Sequence, residues 1–323
     1  MRIIDTELKT FEEFRQFIDA IYFVESNPNS FIFRGQAQDW PLIPSIYRDK
    51  NIELIRNHSN FEKSVKLSAG LYRNSEDNLL LKFFNYANHS GLKVPKTTRY
   101  SSRPLPILDP LVIAKNIAGE WPPEDLTELS ALAQHYGIPT SLIDWSFDSN
   151  VALYFAVFGA INDALNNENQ YASDNIVIWI LSLHSITALQ NFSKCSNGKI
   201  KWNCIPIKFV VPSYYNNPNI NAQKGILSYW PEGQTDLGKE IDKIPLDTKI
   251  NEFDLGDIPD LYKKNAENLM YKILIPTSEC VRIAKHLFNT GYNSSRLFPG
   301  YSGVVKSIEE HDMIRKAEKV LSK

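Results

Sequence analysis

Apolar residues in this chain fall at two spacings, and the changes between them mark its elements. Phe11, Phe14, Ile18 and Ile21 recur at helical spacing behind Thr10-Phe-Glu-Glu13, whose hydroxyl and carboxylate stand at capping-box distance, so an amphipathic helix is predicted. Ser30-Phe-Ile-Phe-Arg-Gly35 is short, aromatic and β-branched, and it predicts a strand running into a turn at Gly35. Ser59-Asn-Phe-Glu62 is a second capping box, predicting a helix to about Tyr72. Ser75 then begins another helix, whose run from Leu79 to Phe84 must be largely inside. Further on, Ile176–Leu183, Ile205–Val211, Ile226–Trp230 and Met270–Pro276 are rich in β-branched residues and predict strands. A helix from about Ser278 to Thr290 with Gly291 as its C-cap follows, and then a last helix with a basic end.

The stretch that organises the rest runs from Ala131 to Ala156. An apolar helical pattern stops at Gly137, a short extended piece follows Pro139, and a second helix, apolar nearly all round, spans 148 to 164 at the centre of the core. Residues 91–124, with many prolines, and 231–268, acidic and poorly periodic, are expected to be surface insertions. Strands and helices interleave irregularly. The expected fold is α+β, a mixed or antiparallel sheet core flanked by helices, in one domain over 1–323, whose N-terminal helical part, about 1–125, contributes the Arg34 strand.

Polar groups concentrate at the joints of the central stretch, where sites are commonly built. His135 sits in the last turn of a helix, where it can be an acid or base near neutral pH or simply a packing residue and cap. Thr140 and Ser141 follow Pro139 and face opposite ways, or Thr140 bonds its own backbone. Asp144 is a free carboxylate or a cap, although Asp148 is better placed to cap. Arg34 ends the first apolar strand between Phe33 and the Gly35-Gln36 turn. There its fork suits a phosphate or carboxylate, or an internal ion pair with Asp144 or Asp39. Gln223 lies two residues before Gly225, where an amide can hold a ribose hydroxyl.

Bulk properties narrow the classes. A formal charge of −2 over 323 residues, with both signs interspersed, gives no argument for a duplex-DNA footprint, and a local basic groove stays open. There is no apolar run near the ~20 residues of a membrane span, and the N-terminus has no secretory h-region, so a soluble cytoplasmic protein is expected. Three cysteines in a long chain do not suggest a disulfide framework, and Cys195 and Cys204 lack zinc-knuckle spacing, so no metal is expected. The glycine-rich phosphate loops, the nucleophile elbow and the zinc-protease motif are absent. A hydrolase of nucleic acid built on His135 and Asp144 therefore lacks a nucleophile or metal signature.

Several spaced motifs together resemble the FRG domain: Phe33-Arg34-Gly35, Pro41-Leu-Ile-Pro-Ser-Ile-Tyr-Arg48, Gln134-His-Tyr-Gly-Ile-Pro-Thr140, Leu142-Ile-Asp-Trp145, Ala152-Leu-Tyr-Phe-Ala156 and Asn221-Ala-Gln-Lys-Gly225. This chain has Ser141, and Asn219 to Asn221, where the family usually has arginines. A second likeness, in the order of an Arg-ending strand, a Thr-Ser strand leading into a helix and a late Gln-bearing segment, is to ADP-ribosyltransferases of the Arg-Ser-Glu type. That resemblance implies a split sheet and NAD as substrate, with Arg34, Gly35 and Gln36, together with Thr140 and Ser141, around the nucleotide. It also implies catalytic work by His135, Asp144 and Gln223, the last standing where a glutamate is expected. An amide keeps the ribose hydrogen bond but supplies no full negative charge to an oxocarbenium-like transition state. The family resemblance further implies a bacterial toxin or antiphage effector, acting as an NAD transferase or glycohydrolase or as a non-catalytic nucleotide-sensing module.

Overall fold

The structure, a computed structural model, describes residues 2–24, 29–59, 66–101, 119–168, 170–195, 204–215, 217–233, 238–256 and 260–321. Seven strands, β1 Ile3–Glu7, β2 Phe31–Gln36, β3 Ile143–Ser146, β4 Asn175–Ser182, β5 Lys208–Val210, β6 Gly225–Tyr229 and β7 Met270–Pro276, form one sheet in the order β1-β7-β4-β2-β3-β6-β5. Only the β1–β7 pair is parallel. The mixed, mostly antiparallel sheet is the one the interleaved pattern predicts. All seven strands are neighbours in one sheet, with β2 and β3 joined by a single register pair.

Among the described residues seven longer helices flank it: α1 Phe11–Val24, α2 Ala69–His89, α3 Thr127–His135, α4 Ser149–Asn166, α5 Leu183–Cys195, α6 Cys280–Asn289 and α7 Tyr301–Leu321. Strand β4 shows why there are two layers. Its Ile176, Ile178 and Ile180 point to one side and Val177, Trp179 and Leu181 to the other, all buried. The first side packs against α1, α4, α6 and α7, and the second against α5 and the short helices Leu246–Glu252 and Asp260–Glu267.

Both expected surface insertions reach into the interior. Leu246, Ile250, Leu255 and Ala266 of 231–268 are buried in the second layer, each large one contributing roughly 1.5–3 kcal/mol against exposure. Of 91–124, residues 102–118 lie outside the described residues, while Tyr100 and Trp121 on either side are both buried. Short helices in irregular chain bury single residues, not stripes, so no period marks them.

Thr10 Oγ1 accepts from the Glu13 N–H at 3.3 Å, as the capping box predicts, while Glu13 reaches back to the N–H of Lys9 at 2.7 Å. The second box falls largely on residues outside the described ones. Helix α2 is instead capped by Ser68, whose Oγ accepts from the Leu71 N–H at 3.3 Å. Ser75 does not start a helix. It lies inside α2 and donates to the carbonyls of Leu71 (2.8 Å) and Ile55 (2.7 Å), a back-bond that lets serine stay mid-helix. Strand β1 and helix α5 carry no sequence signal strong enough to have been predicted. Among the described residues, no helix is long and apolar enough to cross a membrane.

Candidate functional site

The centre of the sheet contains a seam. Strands β2 and β3 share a single register pair, Phe33 with Ser146, whereas β2 pairs with β4 over six. Beyond that pair a side chain replaces the ladder: Arg34 Nη1 donates to the main-chain carbonyl of Asp144 at 2.9 Å. Ile143 and Trp145 are buried in the second layer, so alternation turns Asp144 to the opposite face, where it is exposed.

A cleft of about 440 Å³ opens at this seam. Arg34, Gly35, His135, Asp144 and Gln223 all line it. They arrive from four segments, β2 for Arg34 and Gly35, α3 for His135, β3 for Asp144 and the turn before β6 for Gln223, and the local chemistry explains how. Gly137 at φ +94° ends the turn after α3 and leaves His135 at the helix end. Asp148 caps α4 by accepting from the Asn150 N–H at 3.0 Å, which frees Asp144 from that duty. Lys224 at φ +47° makes the turn into β6, and Ser146 Oγ donates to the Gln223 carbonyl at 2.7 Å, tying that turn to β3.

Electrostatically the cleft is a carboxylate among nitrogen bases. Asp144 Oδ2 stands 4.0 Å from Arg34 Nη1, a loose pair in which the arginine side chain is 17% exposed and the aspartate 59%. Asp39, the other partner expected for Arg34, pairs with Lys272 at 2.6 Å. Burial lowers the pKa of Arg34, Asp144 opposes that, and nearby Arg48 adds to the lowering. Arg34 Nε is buried without a hydrogen-bond partner. Burial also holds the His135 imidazole below its usual range, against the pull of Asp144, so at neutral pH the ring is mainly uncharged and able to accept a proton. Gln223 Nε2 donates to the Leu297 carbonyl at 3.1 Å, which leaves Oε1 as an acceptor.

Gly35 belongs to the site for a reason of packing. A Cβ there would stand 1.8 Å from the carbonyl oxygen of Ala152 in α4, so the missing side chain admits a backbone, not a ligand. Gln36 is buried and its Oε1 accepts from Trp179 Nε1 at 2.9 Å. Thr140 and Ser141 are likewise not in the cleft wall. The Thr140 hydroxyl donates to Gln134 Oε1 and its N–H donates to Ser45 Oγ at 3.0 Å, which locks the Gln134–Thr140 turn. The N–H and hydroxyl of Ser141 both donate to Glu76 Oε1, at 2.8 and 3.0 Å. Both hydroxyls are spent inside the core on holding the joint.

Glu76 is the centre of that anchor. It is fully buried, it also accepts from Trp121 Nε1 at 2.7 Å, and burial pushes its carboxyl up to about 7 against these hydrogen bonds. A carboxyl raised in the folded state stabilises the fold below its unfolded value near 4.5, and this contribution is lost as pH rises through about 7. Urea unfolding of the protein at pH 5 and pH 8 is expected to show a loss of about 3 kcal/mol at the higher pH that Glu76→Gln does not share. Equal slopes in both proteins would contradict it.

Phe155 and Asn219, which belong to pieces that carry the FRG resemblance, and Phe298 help complete the walls. Arg48, near enough to influence Arg34, was visible only as the end of the Pro41–Arg48 piece. Its approach depends on a proline-punctuated loop whose path no spacing rule gives.

The FRG domain family model matches residues 112–164, which run through α3, the joint and β3 into α4. The chain carries an FRG domain. Within the FRG match lie His135 and Asp144, while Arg34 and Gln223 stand outside it and reach the same cleft through the sheet. No curated protein and no solved structure compared with the chain matches it, so the likeness to ADP-ribosyltransferases rests on motif order alone.

Proposed function

We propose that the cleft binds NAD and that the FRG protein is an ADP-ribosyltransferase-like enzyme, transferring ADP-ribose or hydrolysing NAD. The observation that supports this reading is the meeting of Arg34, His135, Asp144 and Gln223 around one cleft. The buried, unpartnered Arg34 Nε offers a donor for a phosphate oxygen, which its loose contact with Asp144 leaves unsatisfied. Gln223 Oε1 accepts from a ribose hydroxyl. When the bond from ribose to nicotinamide breaks, nicotinamide leaves with the bonding pair and positive charge develops on the sugar, and the Asp144 carboxylate faces that charge. In hydrolysis, water adds to the sugar carbon and its proton passes to the uncharged His135; in transfer, an acceptor side chain takes the place of water. A role as a bacterial toxin or antiphage effector is the biological setting we propose with it.

Arg34→Ala is expected to weaken NAD binding by about 10–100-fold, the worth of a lost charge-assisted hydrogen bond, by isothermal titration calorimetry. Arg34→Lys keeps the charge without the fork and should recover only part of it. Unchanged affinity in Arg34→Ala removes the anchor and the reading with it.

A second reading has one observation in its favour: Gln223, which the ADP-ribosyltransferase likeness sets where a glutamate is expected, is an uncharged amide already tied to the Leu297 carbonyl. On that reading the cleft is a nucleotide sensor that controls a partner. NAD bound without nicotinamide release supports the sensor, and release lost in Arg34→Ala supports the enzyme.

A further inference from the structure

Behind the cleft lies a second hollow of about 580 Å³, and the two share a wall formed by Arg34, Gly35 and Phe155. Its lining carries four cations, Arg34, Arg48, Lys50 and Lys243, against two carboxylates, Asp49 and Asp163. Lys243 and Asp49 already pair with each other at 3.0 Å. Arg48 is fixed by its Nε, which donates to the Ile43 carbonyl at 3.1 Å and leaves its Nη groups for another acceptor. Arg34 and Arg48 thus line one hollow, Arg34 with a buried Nε that has no hydrogen-bond partner, and since the Asp144 carboxylate acts on both guanidiniums, an anion seated there takes over part of its role.

The same hollow holds an exposed aromatic side chain on which, among the described residues, no ring is stacked. Trp40 is 46% exposed on this wall, whereas Trp121, Trp145 and Trp179 are buried. A flat apolar ring beside paired guanidiniums matches a ligand that joins a planar base to phosphates. Gly159, in the same wall, presents no side chain to narrow the hollow.

We propose that this second hollow is a nucleoside-diphosphate subsite, with phosphates bridging Arg34 and Arg48 and the base stacked on Trp40. The proposal rests on the NAD reading in one respect, that the adenosine diphosphate half lies here and the nicotinamide ribose in the first cleft. The shared wall at Arg34 is where the two halves join.

Calorimetric titration of the full chain with ADP and, separately, with NAD tests it. ADP is expected to bind, and Trp40→Ala and Arg48→Gln are each expected to weaken both ligands by about tenfold or more. Trp40→Phe, which keeps a stacking ring, should retain most of the affinity, and circular dichroism checks that each variant is folded. ADP binding that falls in both variants upholds the subsite even if NAD does not bind, in which case only the NAD reading fails. NAD bound with unchanged affinity in both variants overturns the subsite and leaves that reading standing. Absence of ADP binding to the unaltered protein overturns the subsite outright.

Discussion

Asp144→Asn is expected to lower nicotinamide release from NAD by roughly 10²–10³-fold, the usual cost of removing one preorganised charge from a developing transition state. The substitution is close to isosteric, and it keeps the main-chain carbonyl that accepts from Arg34 at 2.9 Å. The side chain is 59% exposed, so stability should change by no more than about 0.5 kcal/mol. A fall in the rate with little change in NAD affinity would place Asp144 in the transition state and not in ground-state binding. Release at the unaltered rate would instead show that the charge comes from elsewhere, and the assignment of Asp144 would be withdrawn. If the unaltered protein binds NAD and releases nothing, the sensor reading replaces the enzyme.

Gly35→Ala is expected to destabilise the fold by more than about 3 kcal/mol, beyond the ordinary range for an overpacked core site. A Cβ at that position meets the Ala152 carbonyl oxygen at 1.8 Å and its carbon at 2.7 Å, so the backbones of β2 and α4 must separate. Neither can move freely, because α4 is buried between β2 and α6 and β2 is hydrogen-bonded to β4 along its length. Gly137→Ala makes a useful contrast. Nothing lies within 4 Å of its added Cβ, and its penalty comes from φ +94° alone, about 1 kcal/mol. Urea denaturation of the two variants should rank them in that order, and a Gly35→Ala midpoint equal to that of Gly137→Ala would refute the packing role.

The candidate site was partly legible in the residues themselves. His135, Asp144, Arg34 and Gln223 each stood at the end of an apolar segment, and a buried segment fixes whatever polar group terminates it. Thr140 and Ser141 met the same criterion, yet they turn inward to Gln134 and Glu76. A hydroxyl is small enough to be satisfied inside a core, so its presence at a joint does not say on which side of the wall it faces. Gly35 was read as a turn residue near the nucleotide, and what comes close to it is the backbone of a helix. Arg48 and Trp40 gave no separate signal because irregular chain has no period to read.

The pattern of apolar positions by itself determined the central helix with its Asp148 cap, the strands carrying Arg34 and Asp144, and the mixed α+β class, since burial period and capping chemistry are local properties. Only the tertiary structure decided that β2 and β3 part after one pair, that a guanidinium fills the gap, and that His135 and Gln223 reach the same opening. Those depend on strand order and register between segments distant in the chain, which arise from the packing of both sheet faces at once and leave no trace in the spacing of any one stretch.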